Sequence, residues 1–174
     1  KSTDGIFAVA SDPDEDAVDV VALGSAPSLV GTVALERGDE PNRMVFDAHG
    51  LAHVVLRGGG AIATIDPKSA SLVARRAVCP APRGIDYDAV TDSLYVACAT
   101  GELVTLPSSG PVSRVVRLDR DLRDVVVLPD KLVVTRFRSA ERLVVDATGS
   151  ITSRATLCSM ARTLSLKFSM AIAA

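Results

Sequence analysis

Asp47, His49 and His53 bring together the side chains most used for metal ligation and proton transfer. Two imidazoles and a carboxylate are donor types that zinc accepts. Their spacing argues against convergence. His49 sits in a turn beside Gly50 and His53 lies inside the run Ala52–Leu56, so the rings have no fixed relative direction, as they would on one helix face. They stand as the candidate metal ligands, with a turn carboxylate and two unrelated histidines as the alternative. Ser11–Asp16 (SDPDED) offers hard oxygen donors but has neither the glycine nor the distal glutamate of a calcium-binding helix-loop-helix, and reads as a solvated hairpin loop. Gly58–Gly60 imitates a phosphate cradle, yet no helix with Lys and Ser or Thr follows, and a permissive hairpin turn explains it. Nucleophile, base and orienting acid do not occur in any recognisable pattern, so no catalytic residue is assigned and no cofactor is implied.

Cysteines and arginines supply the other candidates. Cys79 stands just before Pro80–Pro82 and Cys98 closes the run that starts at Ser93. If Gly84–Asp88 pairs antiparallel with Ser93–Cys98, Cys98 comes opposite Gly84 and Cys79 needs only a short excursion to reach it. A Cys79–Cys98 disulfide would close a loop of about twenty residues, contribute about 3 kcal/mol and imply an oxidising compartment. Two separate buried thiols are the equal alternative. CxxC and CxxCH spacings are absent, which excludes thioredoxin-like exchange and haem attachment within this segment. Arg114, Arg117, Arg120 and Arg123, followed by Arg136, Arg138 and Arg142, make the last third of the chain basic. If the first strand of each structural unit lines a central channel, Arg123 and Arg83 bring two guanidiniums near the axis. With Arg136 they are the candidate ligands for an anion or carboxylate. Salt bridges between units are the competing use. The net charge of −2 and the lack of interleaved aromatics exclude general nucleic-acid binding.

Short strands must position these side chains. Pro82–Leu106 contains the runs Gly84–Asp88, Ser93–Ala97 and Glu102–Leu106, rich in β-branched, aromatic and aliphatic residues and each too short for a helix. Asp92, Ser93 and Gly101 supply the turns between them. The pattern recurs: Pro41–Asp47 precedes Pro82–Asp88 by 41 positions, and Leu122–Val127 follows Pro82–Tyr87 by 40. A period near 40 built from about four short strands predicts an all-β chain, a β-propeller of four-stranded antiparallel blades. About four blade equivalents are expected, at 1–37, 38–80, 81–120 and 121–152, the first without its inner strand. Residues 153–174 are expected as an atypical tail, a short amphipathic helix or an improvised closing strand, with an apolar run too short to span a bilayer. The chain is expected to be a fragment of a longer propeller, with a closed four-bladed ring or half of a dimeric ring as the alternatives. Open blade edges would make a homodimer.

The strand Leu94-Tyr95-Val96-Ala97, with Ile65-Asp66-Pro67 and Val145-Asp146-Ala147-Thr148-Gly149, resembles the repeats of YVTN-type bacterial β-propellers, a group akin to WD40-like and quinoprotein amine dehydrogenase-like propellers. The resemblance covers Gly5 to Ser150. Cys79–Leu106, with Leu122–Val127 after it, also resembles propeller domains of exported bacterial proteins, some of them joined to a c-type cytochrome. The resemblance implies a secreted, periplasmic or surface-exposed scaffold that binds a protein or small molecule at its loop face or central channel. It also implies two alternatives: a lactonase-like or quinoprotein-like enzyme, for which Asp47, His49, His53 and Asp86 are the only candidates, and a structural domain of a periplasmic redox protein.

Overall fold

The computed structural model describes residues 1–156. Fifteen strands and no helix occur among them, so nothing described is a helix long and apolar enough to cross a membrane. The first sheet holds β1 (Phe7–Asp12), β2 (Ala17–Ala22) and β3 (Ser28–Ala34). The second holds β4 (Pro41–Phe46), β5 (Ala52–Leu56), β6 (Ala61–Asp66) and β7 (Ser71–Ala77). The third holds β8 (Pro82–Asp88), β9 (Ser93–Cys98), β10 (Glu102–Pro107) and β11 (Arg114–Arg117). The fourth holds β12 (Leu122–Leu128), β13 (Lys131–Arg136), β14 (Glu141–Val145) and β15 (Ile151–Thr156). Within each sheet every strand pairs antiparallel with the next, so every sheet is a meander and the whole is a β-propeller arrangement of one three-stranded and three four-stranded blades. β15 carries regular structure through Thr156, past the boundary expected at 152; residues 157–174, the rest of the expected tail, lie outside the described residues.

Turn chemistry explains where the strands stop. Asp12, Asp66, Asp88 and Asp146 each accept a backbone N–H two residues on, closing the hairpin with a side-chain bond. Asp92 and Gly101 take positive φ, 49° and 109°, where the chain reverses on either side of β9.

The core lies between blades, because each sheet can bury its faces only against its neighbours. Alternation along β5 sends Ala52, Val54 and Leu56 to the first blade, where they meet Val18 and Val20, while Val55 turns to the third blade and meets Ile85, Leu94 and Val96. Ala97 and Leu103 pack on Leu122, Val125 and Leu143 of the fourth. Burial falls outward: β5 is buried throughout, whereas β7 and β11 are largely exposed.

The inner strands pack on one another, β4 on β8 and β8 on β12. Each contains one extra residue near its start: the ladder slips between Pro41 and Met44, at Arg83, and at Arg123. The slip at Arg83 corrects the expected register, for Cys98 lies opposite Pro82 and Ala97 opposite Gly84. Gly84 is required by close approach. A Cβ there would sit 2.5 Å from the Asp124 Cα and 2.9 Å from the Arg123 carbonyl oxygen.

Candidate functional site

Between the second and third blades, Asp47, His53 and Thr64 form one line of hydrogen bonds. Asp47 belongs first to its turn: Oδ1 accepts from the backbone N–H of His49 at 2.8 Å and of Leu51 at 2.9 Å. Its Oδ2 accepts from His53 Nε2 at 3.0 Å, and His53 Nδ1 lies 3.0 Å from Thr64 Oγ1. A neutral imidazole satisfies every partner. Nε2–H donates to Asp47, the Thr64 hydroxyl donates to Nδ1, and Arg76 Nη2 donates to Thr64 Oγ1 at 3.4 Å. A protonated ring would turn an N–H toward Thr64 and set a second positive charge beside Arg76. Burial, as the leading cause, holds the His53 pKa below its ordinary value; the bond and charge of Asp47 oppose this, and the Arg76 charge adds to it.

Asp, His and hydroxyl in series is the order of a hydrolytic relay. Access decides against that use: His53 is 0%, Asp47 2% and Thr64 3% exposed, so no substrate atom can approach the hydroxyl. The line continues structurally through Arg76, whose Nη1 donates to the carbonyls of Pro107 at 2.8 Å and Gly110 at 2.9 Å in the third blade. Asp92 closes the neighbouring side by accepting from Tyr87 Oη at 2.8 Å and Ser108 Oγ at 2.7 Å. The metal expectation fails on the same geometry. His49 is exposed on its turn, both Asp47 oxygens are committed, and no cluster of three His, Cys, Asp or Glu side chains suited to a metal occurs among the described residues. Asp86, the remaining acid-base candidate, is also committed: its Oδ2 accepts from Val127 N at 2.7 Å and ties β8 to β12.

One blade later the corresponding slot is built differently. Ladder register sets Tyr95 opposite Thr105 as His53 stands opposite Thr64, and Val116 opposite Leu103 as Arg76 stands opposite Ile62. With valine in place of arginine, the slot between the third and fourth blades stays open as a cavity of about 340 Å³, lined also by Val127, Leu132 and Val145. Arg114, which borders it, donates to the carbonyls of Ala147 and Thr148 and staples the two blades.

The three candidate anion ligands part company. Arg136 is consumed by its own blade and the connection leading into it, pairing with Glu141, lying 3.7 Å from Asp119 and donating Nε to the Arg120 carbonyl at 3.0 Å. Arg83 and Arg123 occupy the inner-strand bulges, one blade apart. Arg83 is half-buried, and burial, followed by the charges of Arg57 and Arg123, pushes its pKa below the usual arginine range. The Arg123 guanidinium stands 5.3 Å from the centre of the Phe137 ring, a cation–π contact.

Cys79 and Cys98 are joined as a disulfide, with Cα atoms 6.5 Å apart, so the segment entering β8 is tied to the end of β9. Cys158 lies outside the described residues. Gly58 and Gly59 answer to crowding more than to turn freedom: Cβ atoms there would fall 2.1 Å from the Gly38 carbonyl oxygen and 1.9 Å from Asp39 Oδ1. Sequence reasoning missed Thr64 and Arg76. The available signal was His53 itself, since a polar ring inside an apolar strand must find partners on adjacent strands.

No known family model matches the chain, and no curated protein matches its sequence. Solved structures do. Hydrazine synthase of Kuenenia stuttgartiensis superposes with a TM-score of 0.76 at 20% identity, over 87% of this chain and 46% of that one. Virginiamycin B lyase of Staphylococcus aureus gives 0.74 at 12% identity, over 89% and 53%. A chain of a nidogen/laminin complex gives 0.70 at 17%, over 89% and 61%. The chain therefore spans roughly half the length of the structures it matches. At these identities the likeness concerns the fold, which is that of a β-propeller.

Proposed function

We propose that this chain is a non-catalytic binding scaffold of an exported bacterial protein, holding a protein or small-molecule ligand at its loop face or along its inner strands. One observation carries the proposal: the acid-base groups, Asp47 and His53, are sealed between blades with every polar atom partnered, while Arg83 and Arg123 on the inner strands have no carboxylate within salt-bridge distance among the described residues. Export is supported by the Cys79–Cys98 disulfide, a bond that persists in oxidising compartments. Among the similar folds, the nidogen/laminin structure is a protein complex, which is in keeping with a partner-binding role.

The test is turnover. The protein is incubated with a panel of lactones, followed by acid release, and with artificial electron acceptors, followed by dye reduction. No turnover is expected. Turnover that disappears in His53→Asn or Asp47→Asn, with the fold intact by circular dichroism, would make the chain an enzyme and overturn the proposal.

A further inference from the structure

We infer that Arg83 and Arg123 form a binding site for a small oxyanion, a carboxylate or a phosphate, where the inner strands begin; this presupposes that the chain is a binding propeller. The two arginines are the extra residues of β-bulges at matching positions in β8 and β12, strands that pack on each other. A bulge takes a residue out of the ladder and re-aims its side chain, and its repetition in neighbouring blades brings two guanidiniums to one stretch of the inner rim. Guanidinium presents a planar fork of N–H donors that matches carboxylate and phosphate oxygens.

The surrounding acids are committed elsewhere. Glu40 accepts from Arg57 Nε and Nη2, each at 2.7 Å. Asp124 lies 3.2 Å from Arg43 Nη2, a pair that reaches from the second blade to the fourth. Asp121 Oδ2 accepts from the backbone N–H of Arg138. Among the described residues, no carboxylate comes within salt-bridge distance of Arg83 or Arg123. Arg83 is therefore a half-buried cation with no carboxylate in contact; burial and the charges of Arg57 and Arg123 work against its charge, the more distant Glu40 and Asp121 oppose them, and an anion at this point of the inner strands would complete its pairing. Phe137 restrains Arg123 before any ligand arrives. Arg43, Arg57 and Arg136, each paired with an acid, show how this fold treats arginines that serve structure.

Isothermal titration of the full chain with sodium phosphate and, separately, sodium succinate, at constant ionic strength against chloride, tests the site. Saturable binding of at least one anion is expected, and which one binds decides between phosphate and carboxylate. Arg83→Gln should weaken it about tenfold or more, and Arg123→Gln should weaken it too. The melting temperature of Arg83→Gln should stay level or rise, because the substitution removes a half-buried charge that has no carboxylate in contact. Arg117→Gln, on the outer strand and paired with Glu102, should bind as the unsubstituted protein does. Undiminished binding in Arg83→Gln, or a lower melting temperature without ligand, would overturn the site. Absence of binding by both anions would overturn it too while leaving the scaffold function standing. His53-dependent turnover with anion binding intact would overturn the scaffold function and leave the site.

Discussion

Replacing His53 with leucine removes both ring nitrogens at nearly constant volume, and so isolates what the line of hydrogen bonds contributes. Asp47 Oδ2 and Thr64 Oγ1 would each lose a partner at 3.0 Å, at positions 2% and 3% exposed. Leaving a buried polar group unpartnered costs about 1–3 kcal/mol, more for a charged one, so the variant should lose about 3 kcal/mol at neutral pH. Asp47 Oδ1 keeps its two backbone bonds, which limits the loss. The pH dependence is more diagnostic. An unfolded histidine titrates near pH 6.5 and His53 in the fold titrates lower, chiefly because it is buried. Between those values the unfolded chain holds a proton that the folded chain does not. The contribution of a neutral His53 is therefore complete above about pH 6.5 and is lost as pH falls through the folded value, by at most about 1.4 kcal/mol per pH unit. Carboxylates held below their ordinary range, such as Asp92 by Ser108 and Tyr87 and Asp88 by Thr91, respond only below about pH 4 and stay outside this window. Urea unfolding followed by far-ultraviolet circular dichroism, from about pH 8 to about pH 5, reads the effect. The unsubstituted protein should lose stability on acidification, whereas His53→Leu should show no such fall. A variant that falls as steeply as its parent would refute the assignment of the slope to His53, and an unchanged stability at neutral pH would refute the role of the hydrogen-bond line.

Three further outcomes follow from the packing. Cys79→Ser with Cys98→Ser should lower unfolding free energy by about 3 kcal/mol, since the bond spans a sequence separation of 19; equal urea midpoints with and without the bond would count against its stabilising the fold. Gly84→Ala should cost at least about 2 kcal/mol, because the new methyl meets the backbone of Asp124 and Arg123, and a thermal melt within a degree or so of the parent would show that the inner strands can separate. Asp86→Ala should cost about 1–3 kcal/mol by leaving Val127 N–H without its acceptor, measured by urea denaturation, with faster hydrogen exchange at that amide as the local signature; protection equal to the parent's would refute the bond.

The sequence by itself determined the strands, the turns and the period. Those depend on neighbours: strand-forming runs of four to seven residues, aspartates that close their own hairpins, and recurrence of one pattern about every 40 positions. Cys79 and Cys98 were legible as potential partners, and Arg83 and Arg123 as inner-strand residues, for the same reason. Tertiary structure decided what each side chain does. A one-residue slip in a ladder is invisible in a single strand, because only cross-strand pairing defines it, so the bulges at Arg83 and Arg123 and the Pro82–Cys98 register emerged with the sheet. Partnership across blades is equally non-local: Asp47 and His53 looked like ligands until Thr64 and Arg76 closed around the ring, and Arg136 looked like Arg123 until Glu141 lay beside one and not the other. Burial made the difference, since a polar group excluded from water takes the nearest partner the packing supplies, and the packing joins residues far apart along the chain.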